Sequence, residues 1–274
     1  MKLSTYLAAV RATTPLVHNI TNYVTVHDVA NILLACGGSP IMSDEPDDVA
    51  DITSICGGLN INIGTLNKRS IEAMFVAGRR AAELGHAMLL DPVGAGASRL
   101  RTETAKKLIA EFRFTAIRGN VSEILALAAG GTSTRGVDAS VADAVTDANL
   151  SAKAAFAKSF AAETGSVIAI TGAIDLVADA ARCYAVRNGT PRMGTITGSG
   201  CQLSGMTTAF LVANRENPLE AALAAVCAMG LAGEIAESRM QPGDGNSTYG
   251  DRLIDAISNL DGASLDKGAK YELL

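Results

Sequence analysis

The chain has 274 residues, 48% of them hydrophobic, and a formal net charge of −5 at pH 7. That length and apolar share suit one α/β domain over 1–274 with a sizeable core. The acidic balance and the lack of any Lys/Arg stripe argue against a nucleic-acid partner.

From the N-terminus, residues 1–10 carry one Lys and only a short apolar segment before Arg11, too little for a secretory signal. A cytoplasmic protein is expected. Residues 25–36 show apolar positions at helical spacing, residues 59–63 read as a short strand, and 71–84 read as a helix. Two further apolar runs, 87–90 and 114–117, end abruptly in polar residues and glycine. The first runs into Asp91-Pro92-Val93-Gly94-Ala95-Gly96, the second into Arg118-Gly119-Asn120-Val121-Ser122-Glu123. Residues 130–150, rich in Gly, Thr, Ser and Asp, read as a mobile or solvated connection. A strand over 167–170 leads into Thr171-Gly172, and the short β-rich runs 174–177 and 182–186 read as a hairpin. A glycine-rich loop, 194–202, opens a helix over 203–213. The apolar stretch 221–233 lies between Glu220 and Glu234 and falls short of the ~20 residues that span a bilayer, so it reads as a buried helix. Strands and helices alternate, which predicts a mostly parallel sheet with helices on both faces.

Five cysteines, an odd number without any CxxC pair, indicate neither a disulfide framework nor a zinc site. Cys36, Cys56 and Cys227 lie in apolar segments and Cys183 in a strand-like run, where a free thiol acts as a small hydrophobe. Cys201 differs. It follows Gly198-Ser199-Gly200 at a helix start, where bare N–H groups and the positive dipole end favour an anion such as phosphate. The same run also suits ordinary loop-to-helix punctuation. In an open parallel sheet, ligands bind outside the carboxyl ends of the strands, so the Asp91, Arg118 and Gly198 clusters can converge on one crevice. Asp91 and Glu123 there suit Mg²⁺, an ion usually held by one or two carboxylates with substrate phosphates and water. Alternatively, Asp91 opens a turn at Pro92 and Glu123 is a first-turn helix acid. His18 and His27 read as satisfied structural groups, and no metal spacing joins them to His86.

Five ordered motifs resemble the hydroxyethylthiazole kinases, thiamine-salvage enzymes with a ribokinase-like three-layer fold. They are His18-Asn19-Ile20-Thr21-Asn22-Tyr23-Val24-Thr25, Gly38-Ser39-Pro40-Ile41-Met42, Asp91-Pro92-Val93-Gly94-Ala95-Gly96, Arg118-Gly119-Asn120 and the loop 197–202. The resemblance spans nearly the whole chain, and Cys201, where related vitamin and sugar kinases carry aspartate, points to the thiazole branch. It implies Mg²⁺-dependent transfer of the ATP γ-phosphoryl group to the hydroxyl of 4-methyl-5-(2-hydroxyethyl)thiazole. Gly198, Ser199 and Gly200 would donate backbone N–H bonds to the transferring group. Arg118 and Thr171 would hold the nucleotide, Asp91 and Glu123 the metal and its waters. Asn22 and Met42 would lie near the thiazole, Gly198 against its hydroxyethyl arm, and Cys201 beside the hydroxyl. A homotrimer with sites between subunits is also implied. The segment 241–249 departs from the Gly-Pro-Gly-Ser/Thr-Phe sequence of many relatives. Other readings are a hydroxymethylpyrimidine kinase or a nucleotide-dependent hydrate dehydratase, an acyl-transfer enzyme with Cys201 as nucleophile and His18 or His27 as base, and a non-catalytic thiazole-binding protein.

Overall fold

Short apolar runs in this chain alternate with longer ones of helical period, and the elements they form pack in three layers. The computed structural model describes residues 1–129 and 144–274. Its sheet has nine strands: β1 Leu16–Ile20, β2 Ser39–Met42, β3 Gly58–Asn62, β4 Ala87–Asp91, β5 Ala116–Asn120, β6 Val167–Thr171, β7 Asp175–Ala178, β8 Cys183–Val186 and β9 Tyr271–Leu273. Their order is β2-β1-β3-β4-β5-β6-β7-β8-β9. The first six pair in parallel, and β7, β8 and β9 continue the sheet antiparallel. The expected hairpin is β7–β8. The short β9 at the chain end was not anticipated, since three residues leave too brief a pattern to read.

Parallel strands covered on both faces read as continuous apolar runs, and β4 illustrates the reason. Leu89 packs in one core, while Met88 and Leu90 on either side of it pack in the other. The first core is closed by α1 Ser4–Thr13, α2 Val26–Cys36, α8 Ser199–Ala213, α9 Pro218–Ser238, α10 Asn246–Ser258 and α11 Gly262–Gly268. The second is closed by α3 Val49–Ile55, α4 Lys68–Glu83, α5 Arg99–Glu111, α6 Val121–Ala128 and α7 Leu150–Thr164.

Two helices position the site. The 21-residue α9 is long and apolar enough to cross a membrane, yet 89% of its most apolar window is buried within the fold. Its alanines and glycines allow close approach. A Cβ on Gly230 would meet the Asn188 backbone at 2.7 Å, so only glycine admits that loop. In α8, every residue from Cys201 to Leu211 is buried, because the helix lies between the sheet and α1, α2 and α9. It begins at Ser199, four residues before the apolar pattern does, because Gly198 turns the chain with φ +88°. Strand β5 conversely begins at Ala116, two residues late, where the Thr115 hydroxyl accepts from Met88 N–H. Of the 130–150 connection, residues 130–143 lie outside the described residues. Beyond them, Val145 is buried and Asp147 pairs with Arg187 at 2.6 Å, so this end is anchored.

Candidate active site

Polar side chains end most of the parallel strands on one edge of the sheet, and the N-terminus of α8 lies over them. Met42 ends β2, Asn62 ends β3, Asp91 ends β4 and Thr171 ends β6, while Asn22 follows β1 and Arg118 stands two residues before the end of β5. These six share one edge because parallel strands all present their carboxyl ends there.

At the centre, the Cys201 sulfur accepts from Asn22 Nδ2 at 3.1 Å and from Asn62 Nδ2 at 3.2 Å. Asn62 Nδ2 also donates to Asp91 Oδ2 at 2.8 Å, and its Oδ1 accepts from Gly64 N–H at 2.9 Å and Asn22 Nδ2 at 3.1 Å. The Thr25 hydroxyl donates to Asn22 Oδ1 at 3.1 Å. Burial and then the Asp91 charge push the Cys201 thiol up, outweighing the bonds from Thr25, Asn22 and Asn62 that pull it down. Cys201 therefore rests as a neutral thiol, the reverse of what an isolated helix N-terminus would give.

Asp91 is fully buried, and burial pushes its carboxyl up to about 6 against the pull of Arg118, Ser204 and Asn62. Its Oδ2 accepts from Ser204 Oγ at 2.8 Å and faces Arg118 Nη1 at 3.5 Å, whereas its Oδ1 is buried without a partner. Arg118 Nη2 donates to Thr171 Oγ1 at 2.7 Å. The guanidinium presses against Gly200, where a Cβ would come within 2.6 Å of both terminal nitrogens. A Cβ on Gly198 would collide with the Thr25 side chain. No side chain caps α8, so its first N–H groups remain available to an anion beside Arg118. The Ser199 hydroxyl is used locally, donating to Met193 O at 3.1 Å. From this point a cavity of about 550 Å³ extends past Thr171, Asp175 and Asn188 to Val226 and Met229 on α9.

Glu123 stands slightly apart. Its Oε2 accepts from Asn120 N–H at 2.8 Å and its Oε1 from Gly94 N–H at 2.9 Å. It completes a capping box on α6 and ties the loop after β4 to that helix, the local role open to a first-turn acid. Among the described residues no three His, Cys, Asp or Glu gather as a metal cage. The donors present, one unpartnered oxygen on Asp91 and spare lone pairs on Glu123, fit an ion held mainly by water and phosphate.

Neither candidate histidine reaches Cys201. His18 is buried between Thr53 Oγ1 at 2.9 Å and Ser43 O at 3.0 Å, and His27 lies exposed on α2 beside Asp28 and Asn31. The covalent reading that needed one of them as a base therefore loses its pair. Met42 is half-buried against the first core, paired in register with Asn19. The divergent segment 241–249 docks through Asn246 Nδ2 onto Thr195 O at 2.8 Å, just ahead of the glycine loop. Asn62, Ser204 and Asp175 were not singled out from the sequence. Asn62 lies inside the strand-like run 59–63, followed by Ile63, so it carried little signal, and Ser204 and Asp175 carried none.

The chain was compared with known proteins. The model of the hydroxyethylthiazole kinase family matches residues 7–262. A hydroxyethylthiazole kinase from Clostridium acetobutylicum is 59% identical over 266 residues, 97% of either chain. The solved structure of the hydroxyethylthiazole kinase from Pyrococcus horikoshii OT3 superposes with a TM-score of 0.86 at 32% identity, covering 99% of this chain and 98% of that one. A ribokinase-like superfamily protein from Enterococcus faecalis V583, 11% identical, shares the fold with a TM-score of 0.61 over 92% of this chain and 89% of its own.

Proposed function

The chain belongs to the hydroxyethylthiazole kinase family, and from that premise we propose that it transfers the γ-phosphoryl group of ATP to the primary hydroxyl of 4-methyl-5-(2-hydroxyethyl)thiazole, returning the thiazole to thiamine synthesis. The observation that carries this reading is the meeting of a buried thiol, an Arg118–Asp91 pair and an uncapped helix N-terminus at the carboxyl ends of the strands, where Arg118, Ser199 and Gly200 line the adjoining cavity.

Each residue then has a physical task. The N–H groups of Gly198, Ser199 and Gly200 and the Arg118 guanidinium receive the phosphoryl oxygens as charge redistributes, and fixed donors need no reorganisation at that moment. Thr171 holds the guanidinium in place and faces the nucleotide. Asn22 and Met42 contact the thiazole, with Gly198 against its hydroxyethyl arm. Cys201 lies beside the hydroxyl, held there by Asn22 and Asn62. As a thiol whose sulfur already accepts two N–H bonds, it positions the hydroxyl more than it takes the proton. Asp91, through its unpartnered Oδ1, and Glu123, through its spare lone pairs, would hold Mg²⁺ by way of water. When bound, the ion supplies positive charge to the phosphates.

Three coarser features belong to the same proposal. One nine-stranded sheet runs through both halves of the chain, which supports a single kinase domain over 1–274. Tyr23 and Val24, directly after Asn22, are 60% and 68% exposed, which supports a homotrimer in which a neighbouring subunit covers the thiazole site. All five cysteines are free, as suits the cytoplasm. The test is to incubate the purified protein with Mg-ATP and a panel of thiazole, pyrimidine and sugar alcohols. The thiazole phosphate is expected as the main product. Preferential phosphorylation of a pyrimidine alcohol, or thiazole binding without ADP release, overturns the proposal.

A further inference from the structure

The cavity leading away from Arg118 holds a single carboxyl group among its described lining residues, Asp175 at the start of β7. A carboxyl is an odd neighbour for a polyphosphate, and its surroundings say what it can meet. Its Oδ1 accepts from Gly172 N–H at 2.8 Å, which fixes the direction of the group. Among the described residues nothing bonds Oδ2. The next polar side chain along the wall, Asn188, is engaged at both ends: it donates to Glu234 Oε1 and Gly268 O and accepts from Lys270 N–H. Thr190 is likewise engaged by Arg192 N–H. Among the described lining residues Asp175 thus brings a carboxyl oxygen with no bond at all to this wall. Burial pushes its carboxyl up to about 7, against the pull of Gly172 N–H and the Arg118 charge, so a neutral donor on Oδ2 would relieve a strained ionisation.

Distance selects the donor. The Arg118 guanidinium reaches across to Thr171 at the end of β6, and Asp175 opens β7, the next strand, so the carboxyl lies one strand spacing, ~4.8 Å, beyond it. Measured from phosphates held at Arg118, that reach suits the sugar of a nucleotide rather than its base. Beyond lies the apolar wall of Val226 and Met229, with Leu203 beneath, where a flat ring can rest. We infer that Asp175 reads the sugar of the phosphoryl donor, its Oδ2 accepting from the vicinal hydroxyls of a ribonucleoside triphosphate. This rests on the assignment of ATP to the cavity.

The experiment is calorimetric binding of ATP, 2′,3′-dideoxyATP and inosine triphosphate to the wild-type protein and to Asp175→Ala. The wild type is expected to bind ATP about 10- to 100-fold more tightly than dideoxyATP, as two hydrogen bonds to a carboxylate allow. In Asp175→Ala, ATP should fall to the dideoxyATP level, while dideoxyATP itself stays within about twofold. Asp175→Asn keeps an acceptor for Gly172 N–H but replaces Oδ2 with an NH₂ that can still donate to a hydroxyl oxygen, so should the alanine variant fail to fold, this variant is expected to narrow the ATP-to-dideoxyATP ratio, and an unchanged ratio counts against the inference. Equal wild-type affinity for ATP and dideoxyATP overturns the inference and leaves the nucleotide site standing. So does an equal loss of both ligands in the variant, which marks a structural role, or a change confined to the ATP-to-inosine ratio, which marks a base contact. A wild type that binds the thiazole alcohol but no triphosphate overturns the nucleotide assignment and this inference together.

Discussion

Gly200→Ala adds one methyl group at the point where the glycine loop meets Arg118. The new carbon would lie 2.6 Å from Nη1 and Nη2, against an ordinary contact of 3.4 Å or more, so the guanidinium must retreat by about 0.8 Å. An exposed arginine would swing aside at small cost. Arg118 is 9% exposed and held by Thr171 at 2.7 Å and Asp91 at 3.5 Å, so it cannot move that far and keep both. Losing one hydrogen bond to a charged group costs about 1.5–3 kcal/mol. For a chain of this size that lowers the melting temperature by roughly 3–12 °C. Turnover should suffer more, because removing one fixed donor from a transition-state site typically costs about 10²- to 10³-fold in kcat. The assay pairs steady-state phosphorylation of the thiazole alcohol with thermal melting. Gly250→Ala on α10 is the control, since nothing lies within 4 Å of its added carbon. It should leave turnover unchanged and gain up to about 1 kcal/mol from helix propensity. A Gly200→Ala enzyme with turnover within twofold of wild type and an unshifted melting point would refute the reasoning.

Two further outcomes follow from the same network. Cys201→Asp should keep substantial activity, because a carboxylate accepts the two amide N–H bonds now made to sulfur, whereas Cys201→Ser should lose part of the rate and Cys201→Ala should leave two buried donors unpaired, at about 1–3 kcal/mol each. Single-turnover phosphoryl transfer against pH checks this, and inactivity of both Asp and Ser variants with normal folding and ATP binding counts against it. For Asp91, the folded carboxyl near 6 lies above its ordinary 3.8, so its stabilising share is complete below about pH 3.8 and is lost as pH rises to 6. The loss amounts to about 3 kcal/mol. Relative to wild type, Asp91→Asn should therefore show a flatter denaturation midpoint between pH 4 and 6, and identical slopes would contradict the assignment.

The layered fold was legible because short apolar runs alternate with longer, helix-length ones along the chain. Strand runs such as 87–90 are wholly apolar, as two-sided burial requires, and two of the helices, α2 and α7, end at a left-handed glycine, Gly37 and Gly165. The site was partly legible for the same topological reason: where an apolar run stops at a polar residue, a strand stops at the ligand edge, as at Asp91 and Thr171, whereas Asn62 is followed by Ile63 and was hidden inside its run. What the sequence hid was pairing. Glu123 looks like a free second metal acid in one dimension, and only the fold shows that each of its oxygens already accepts one N–H, from Gly94 and Asn120, so that it has spare lone pairs and no free oxygen to offer. Asp175 looks like a turn residue three positions after Gly172, and only the fold shows its second oxygen left over at the cavity wall.

The polarity around Cys201 follows from two groups that admit no alternative. When ionised, Asp91 can only accept, and Gly64 N–H can only donate, so the Asn62 amide lying between them must turn its NH₂ to the first and its oxygen to the second. That oxygen in turn obliges Asn22 to present its NH₂, leaving its own oxygen to the Thr25 hydroxyl. Both amides therefore face position 201 with N–H groups, and whatever side chain stands there is held as an acceptor. Sulfur fills this role as a soft, neutral atom. A carboxylate would fill it more strongly but would place a second negative charge beside buried Asp91, which already pushes the thiol up. The cysteine is thus the acceptor that this cup can keep uncharged when no cation shields Asp91, and its thiol is held neutral by burial first and by the neighbouring acid second, against the pull of the helix end on which it sits.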